Sequence, residues 1–192
     1  TNQQGWWLRD KSEVLTRNTK LDWIISENWN QQEISQRGKM NDFLLRKKML
    51  LVGAGCVGAS VAEILVRSGV YNLTIIDSDI FEIGNLSRHV LNVGNIGELK
   101  ELSLCSYLNS LNPHANVEVI NDTLAIDEEF KTNIALDEYD IIIDCTGENS
   151  VLDIFQKADF RKSHIIASIS VGLGAKHLYM TIMSGSTFYF NS

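Results

Sequence analysis

Three glycines, in the run Gly53-Ala54-Gly55-Cys56-Val57-Gly58, stand directly after the short apolar stretch Lys48-Met49-Leu50-Leu51-Val52. A buried strand, a tight turn and a helix start form the setting in which such glycines do chemistry. The first permits the turn, the second lets backbone approach a phosphate, and the third lets helix and strand pack closely. Free amides at the helix start attract phosphate oxygens. The pattern points to a dinucleotide or to ATP without choosing between them. Asp77 ends the next apolar run, Leu73-Thr74-Ile75-Ile76. In folds of this kind a carboxylate there accepts from ribose hydroxyls; a strand-end cap is the plainer use of the same residue.

The stretch Asp77-Ser-Asp79-Ile-Phe-Glu-Ile-Gly-Asn85-Leu-Ser-Arg88-His89 discriminates further. A nicotinamide dehydrogenase has no use for Asn and Arg on a loop just past the ribose carboxylate. A nucleotidyl transferase does. Arg88 can neutralise a triphosphate, and the Asn85 amide can hold a phosphate or ribose oxygen. Lys100, near the next helix start, adds a point charge at the phosphates. A single surface arginine is ordinarily just solvated, so the argument rests on the three occurring together. His89 beside this loop reads as a structural hydrogen-bonder rather than an acid or base.

These residues need a scaffold, and the sequence supplies alternating strand and helix signals. Apolar runs at 48–52, 73–77, 117–120, 140–144 and 164–168 read as buried strands. Residues 59–68, 100–111 and 151–160 read as helices, the second closed by Asn112-Pro113. Continuous apolar strands alternating with helices predict an α/β fold. It is Rossmann-like and doubly wound, its mostly parallel sheet carrying helices on both faces. Residues 176–183 and 186–190 read as a C-terminal antiparallel hairpin around Ser184-Gly185. Residues 1–42 are polar, with Trp6, Trp7, Trp23 and Trp29. They read as a helical extension, with short helices over 11–29 and the tryptophans in packing or an interface. Residues 43–192 form the nucleotide-binding domain.

The chain has 192 residues, 44% of them hydrophobic, and one proline. That suits one well-packed domain and argues against a disordered chain. A net charge of -7 is a poor fit to nonspecific nucleic-acid binding. Cys56, Cys105 and Cys145 have no metal-binding spacing and read as small packing residues in a reducing cytoplasm. No run approaches the length needed to span a bilayer, and no signal peptide opens the chain. A first residue Thr1 and an apolar run just before Ser192 suggest a fragment whose last domain is incomplete.

The run LLVGAGCVGASVAEILVRSGVYNLTIIDSDIFEIGNLSRHVL, with IGELKELSLCSYLNSLNPHANVEVI and IIIDCTGENSV, resembles the superfamily of ThiF, MoeB and ubiquitin-activating enzymes. The likeness covers about residues 46–185, and its "NLSRH" form is similar to bacterial ThiF-type proteins. The resemblance implies adenylation of the C-terminal carboxylate of a ubiquitin-like or sulfur-carrier protein by ATP and magnesium, with pyrophosphate leaving. It places Asp77 on ribose within the Asp77-x-Asp79 signature and Asn85, Arg88 and Lys100 on phosphates. It implies a homodimer whose N-terminal arginine reaches the partner's ATP, with Arg37 as the match. Relatives often carry a magnesium aspartate where this sequence has Gly147 (Asp144-Cys-Thr-Gly147-Glu148), leaving Asp144 or Glu148 as the metal candidates. Relatives also carry zinc ligands and a catalytic cysteine further along than Ser192, and neither Cys145 nor Cys56 takes that role. Two other readings stay open: a noncatalytic nucleotide-binding scaffold subunit, and an NAD-dependent oxidoreductase domain.

Overall fold

The computed structural model describes residues 2–14, 16–18, 20, 24–35, 37, 40–120 and 135–190. By compactness the chain divides into Thr1–Glu33 and Ile34–Ser192.

In the first unit, helix α1 (Asn2–Arg9) runs into a π-helical turn at Asp10–Val14. Trp6 and Trp7 are exposed, each covered by a cation: the Arg9 guanidinium lies 4.7 Å from the Trp6 ring centroid and the Lys11 ammonium 4.4 Å from that of Trp7. Trp29 is also exposed, and Trp23 lies outside the described residues. Among the described residues the short helices expected over 11–29 reduce to that one turn, and residues 24–30 take no regular structure. Ile24 and Ile25 stay exposed, so neither contributes a buried apolar face that would drive helix formation there.

Short helix α2 (Gln31–Ser35) spans the boundary, and the second unit holds α3 (Asp42–Leu45), then the sheet. Its strands are β1 (Met49–Val52), β2 (Asn72–Ile76), β3 (Asn116–Val119), β4 (Ile141–Asp144), β5 (His164–Val171) and β6 (Leu178–Gly185), in spatial order β3-β2-β1-β4-β5-β6. The first five are parallel, and β6 runs antiparallel to β5. Helices α4 (Cys56–Arg67), α5 (Lys100–Leu111) and α6 (Asn149–Lys157) cover it. Successive strand residues face opposite sides. Met49 and Leu51 therefore pack with Ala59, Ala62 and Val66 of α4 and Leu104 and Leu108 of α5. Leu50 and Val52 pack with Val151, Ile154 and Phe155 of α6. One sheet thus carries a core on each face, the doubly wound arrangement expected.

Two boundaries differ from expectation. Helix α4 starts at Cys56, three residues early, because Gly58 is a packing glycine inside the first turn rather than part of the loop. The antiparallel partner of β6 is β5, not residues 186–190. Strand β5 runs on to Val171 and pairs in register from His164↔Gly185 to Val171↔Leu178. The chain turns back at residues 172–177, and Phe188 buries itself in the second core instead of extending a strand.

Candidate nucleotide-binding site

Three chain segments leave the sheet side by side. Val52 is in register with both Ile76 and Asp144. Gly53, Asp77 and Cys145 therefore emerge at one level, at the carboxyl edge, where strand order reverses between β1 and β4. That crevice is the usual ligand position in open α/β sheets.

The glycines divide their work. Gly53 has φ +92°, and a Cβ there would lie 3.0 Å from the Thr146 backbone nitrogen. A Cβ on Gly58 would lie within 1.9 Å of the Gly53 carbonyl oxygen, so this position accepts glycine alone. Gly55 caps α4 without any side-chain bond to the first-turn amides, and a Cβ on it would meet nothing within 4 Å. An uncapped helix start under open space is what a phosphate needs.

Asp77 is tied to this turn. Its Oδ2 accepts from the Ala54 amide at 2.6 Å and its Oδ1 from the Asp79 amide at 2.7 Å. Burial is the chief influence on its carboxyl, pushing it above the ordinary carboxylate range against those two donors. Each oxygen keeps a further lone pair for a hydroxyl. The Asp77 amide in turn donates to Glu101 Oε2 at 3.1 Å. Glu101 is buried at the start of α5. The sequence reading missed it, and a charged residue at an inward helical position was the available signal.

Lys100 is also buried, and its Nζ lies 2.7 Å from Asp79 Oδ2. A cation in a helix's first turn opposes the helix dipole, and Asp79 offsets that. The loop between Asp79 and Lys100 is pinned by the Ile80↔Leu99 bridge and the fully buried Phe81. Asn85 accepts from the Glu82 amide through Oδ1 at 2.9 Å, in a reciprocal cap with Glu82. Its Nδ2 has no protein acceptor among the described residues.

Arg88 is exposed, with no ion pair among the described residues, yet its backbone is held at the turn. The Cys56 thiol donates to the Arg88 carbonyl at 2.8 Å, and His89 Nε2 donates to the Ala54 carbonyl at 2.7 Å. Cys56 is thus more than packing. It is half-buried and bridges the first helical residue to the arginine loop.

The metal candidates are not arranged as a cage. Asp144 is buried, and its Oδ1 accepts from the Thr146 amide and hydroxyl while Oδ2 accepts from Ser168 Oγ at 2.8 Å. Glu148 is exposed, beyond Gly147 at φ +72°. Among the described residues no three His, Cys, Asp or Glu converge as metal ligands. Arg37 is exposed.

The model of the ThiF family matches residues 26–185. This chain belongs to the ThiF family. The ATP-dependent ubiquitin transferase-like protein Cap2 of Enterobacter hormaechei subsp. hoffmannii is 32% identical over 187 residues, covering 97% of this chain and 30% of that protein. The molybdopterin-synthase adenylyltransferase of Haemophilus influenzae is 38% identical over 125 residues, covering 64% of this chain and 48% of that one. The structure of Escherichia coli MccB with ATP superposes at a TM-score of 0.58 with 25% identity, covering 68% of this chain and 38% of that chain. The chain therefore spans less than half the length of each. Within this ThiF-family domain, Gly53, Gly55, Gly58, Asp77, Asn85, Arg88 and Lys100 belong to the turn and to the loop and helix start anchored against it. Asp79 joins them as the carboxylate that holds Lys100.

Proposed function

We propose that this domain binds ATP and transfers its AMP to the C-terminal carboxylate of a ubiquitin-like or sulfur-carrier protein. The observation that carries the reading is the cross-linking of the arginine loop to the glycine turn through Cys56–Arg88 and His89–Ala54. A dehydrogenase needs only the turn and Asp77. Transfer of AMP needs cations along the triphosphate, and Arg88 and Lys100 are the candidates for that task.

In the proposed reaction Asp77 accepts from ribose hydroxyls and the α4 amides donate to phosphate oxygens. A carboxylate oxygen of the protein substrate bonds to the α-phosphorus. The bond from that phosphorus to the bridging oxygen breaks, and pyrophosphate leaves with the electron pair. No side chain need act as base, since the nucleophile is already ionised. Catalysis is alignment and charge neutralisation. Arg88 and Lys100 offset the charge growing on the leaving pyrophosphate, and Asn85 Nδ2 donates to a phosphate oxygen. Arg37 reaches the nucleotide of a second copy in a homodimer.

Magnesium would supply further charge neutralisation. Asp144 has both oxygens engaged and Glu148 stands alone, so these residues do not fit a preformed metal site. Hard cations of this kind commonly arrive on substrate phosphates, and no step is assigned to the ion. The same feature favours the second reading, a noncatalytic nucleotide-binding subunit.

ATP–pyrophosphate exchange decides between them, run on the full-length protein with ubiquitin-like proteins ending in Gly-Gly. Exchange dependent on such a protein and abolished by Arg88→Ala supports adenylation. ATP binding without exchange supports the noncatalytic subunit. Stabilisation by NAD and not by ATP would overturn both.

A further inference from the structure

We propose that Glu101 is a positioning residue: its buried carboxylate takes the Asp77 amide where β2 leaves the sheet and so aims the Asp77 carboxylate at the ribose. The inference rests on the ATP-binding reading above and adds a residue which that reading does not use.

Glu101 stands where a core residue is expected. It is 4% exposed, and Leu104 and Leu108, on the same side of α5, are fully buried. Their spacing puts all three on the face that packs against the sheet. The helix dipole favours a carboxylate in a first turn, but an exposed position gives that benefit without desolvation. Burial pushes the Glu101 carboxyl above the ordinary range, the Asp77 amide opposes the rise, and the Asp77 carboxylate adds to it. Two acids are thus kept close together, and the helix dipole does not account for it.

What Glu101 receives is an amide at the end of the strand ladder. On the β3 side of β2, the Ile120 amide donates to the Ile75 carbonyl at 3.1 Å. The next amide on that side is that of Asp77, and it donates to Glu101 Oε2 at 3.1 Å. A side chain takes the place of a strand carbonyl and satisfies a main-chain donor. On the β1 side, the Gly53 amide donates to the Ile76 carbonyl at 2.9 Å. Asp77 is therefore held through its main chain by Glu101 and through its carboxylate oxygens by the Ala54 and Asp79 amides. Without the main-chain tie, the two carboxylate contacts alone do not fix where the remaining lone pairs aim.

Two variants separate the acceptor from the charge. Glu101→Gln keeps an oxygen for the amide and removes the charge, while Glu101→Leu removes both and suits a buried helical position. The probes are ATP and 2′,3′-dideoxy-ATP, which keeps the base and phosphates but offers no ribose hydroxyl. Calorimetric binding to the whole chain gives the ratio of the two dissociation constants. Wild type should prefer ATP by about tenfold or more, the worth of hydrogen bonds to a charged acceptor. Glu101→Gln should keep that preference. Glu101→Leu should cut it about three- to tenfold, through weaker ATP binding at unchanged dideoxy-ATP binding. A helix-dipole role would not distinguish the two nucleotides. An unchanged preference in Glu101→Leu, or equal losses for both nucleotides, would overturn the proposal. So would Glu101→Gln behaving as Glu101→Leu does, or a wild type that binds both nucleotides equally.

Hydrogen exchange of the Asp77 amide gives a readout that needs no nucleotide. Exchange should be slow in wild type and Glu101→Gln, and about tenfold faster or more in Glu101→Leu. A fast-exchanging amide in wild type overturns the proposal even where Glu101→Leu does not fold. Failure of wild type to bind either nucleotide overturns the function proposed above instead, and the exchange of the Asp77 amide still judges the hold of Glu101 on it.

Discussion

Lys100 Nζ sits 2.7 Å from Asp79 Oδ2, a buried ammonium meeting a carboxylate that is largely in water. The exposed partner means solvent screens the pair, so its worth to stability is small. Its use is positional. Asp79 holds the cation at the start of α5, beside Asp77, where under the proposed function a phosphate would compete for it. Lys100→Met keeps the buried stem and removes the charge. ATP affinity should fall about tenfold or more, the cost of losing a charged hydrogen bond. AMP affinity should fall less and melting should barely change. Equal losses for ATP and AMP would show that Lys100 is away from the outer phosphates.

Gly55 and Gly58 should respond oppositely to the same added methyl. At Gly58 the new carbon would sit within 1.9 Å of the Gly53 oxygen. The turn or α4 must then move, at about 3 kcal/mol or more. At Gly55 the carbon meets nothing within 4 Å, so Gly55→Ala should fold normally and lose nucleotide affinity by crowding the phosphate. Thermal melts with and without ATP separate the two. A Gly55→Ala protein that binds ATP as wild type does would move the phosphate site elsewhere.

Cys145 should be inert in the folded protein. Burial pushes its thiol up to about 12, helped by neighbouring Asp144, so almost no thiolate exists near neutrality. Iodoacetamide should leave it unlabelled in the native state and label it fully in denaturant, read by mass spectrometry. Rapid native labelling would reopen a nucleophilic role.

These outcomes also mark what the sequence made legible. Gly53, Gly55 and Gly58 were readable because each serves a local constraint, a turn, an approach or a close packing, that spacing alone encodes. The strands were readable because burial on both faces leaves continuous apolar runs. The partner of β6 was not, since either neighbour could supply the pairing and only register with Ser168-Ile169-Ser170-Val171 selects β5. The partners of Cys56 and His89 were not legible either, although His89 read as a structural hydrogen-bonder. Their roles depend on carbonyls 32 and 35 residues away in sequence, and a carbonyl looks the same in every residue. Of the two uses the sequence left open for Trp6 and Trp7, core packing or an interface, the first does not hold: their rings are exposed, with Arg9 and Lys11 over them.

Asp144 separates a structural from a metal-binding carboxylate. It is buried and accepts from Thr146 twice and from Ser168 once. Asp144→Asn keeps the shape, and its Nδ2 can donate to the Ser168 hydroxyl, but the two bonds from Thr146 lose their carboxylate acceptor. That should cost about 1–3 kcal/mol of stability, measured by urea unfolding. Glu148 is exposed at the end of the same loop, so Glu148→Gln should leave unfolding unchanged. If magnesium arrives on the triphosphate, neither substitution changes the magnesium concentration needed for half-maximal ATP binding. A rise of tenfold or so in that concentration for Asp144→Asn alone, at a temperature where the variant stays folded, would make Asp144 a ligand. It would also mean that the Thr146 and Ser168 hydrogen bonds rearrange to free an oxygen for the ion.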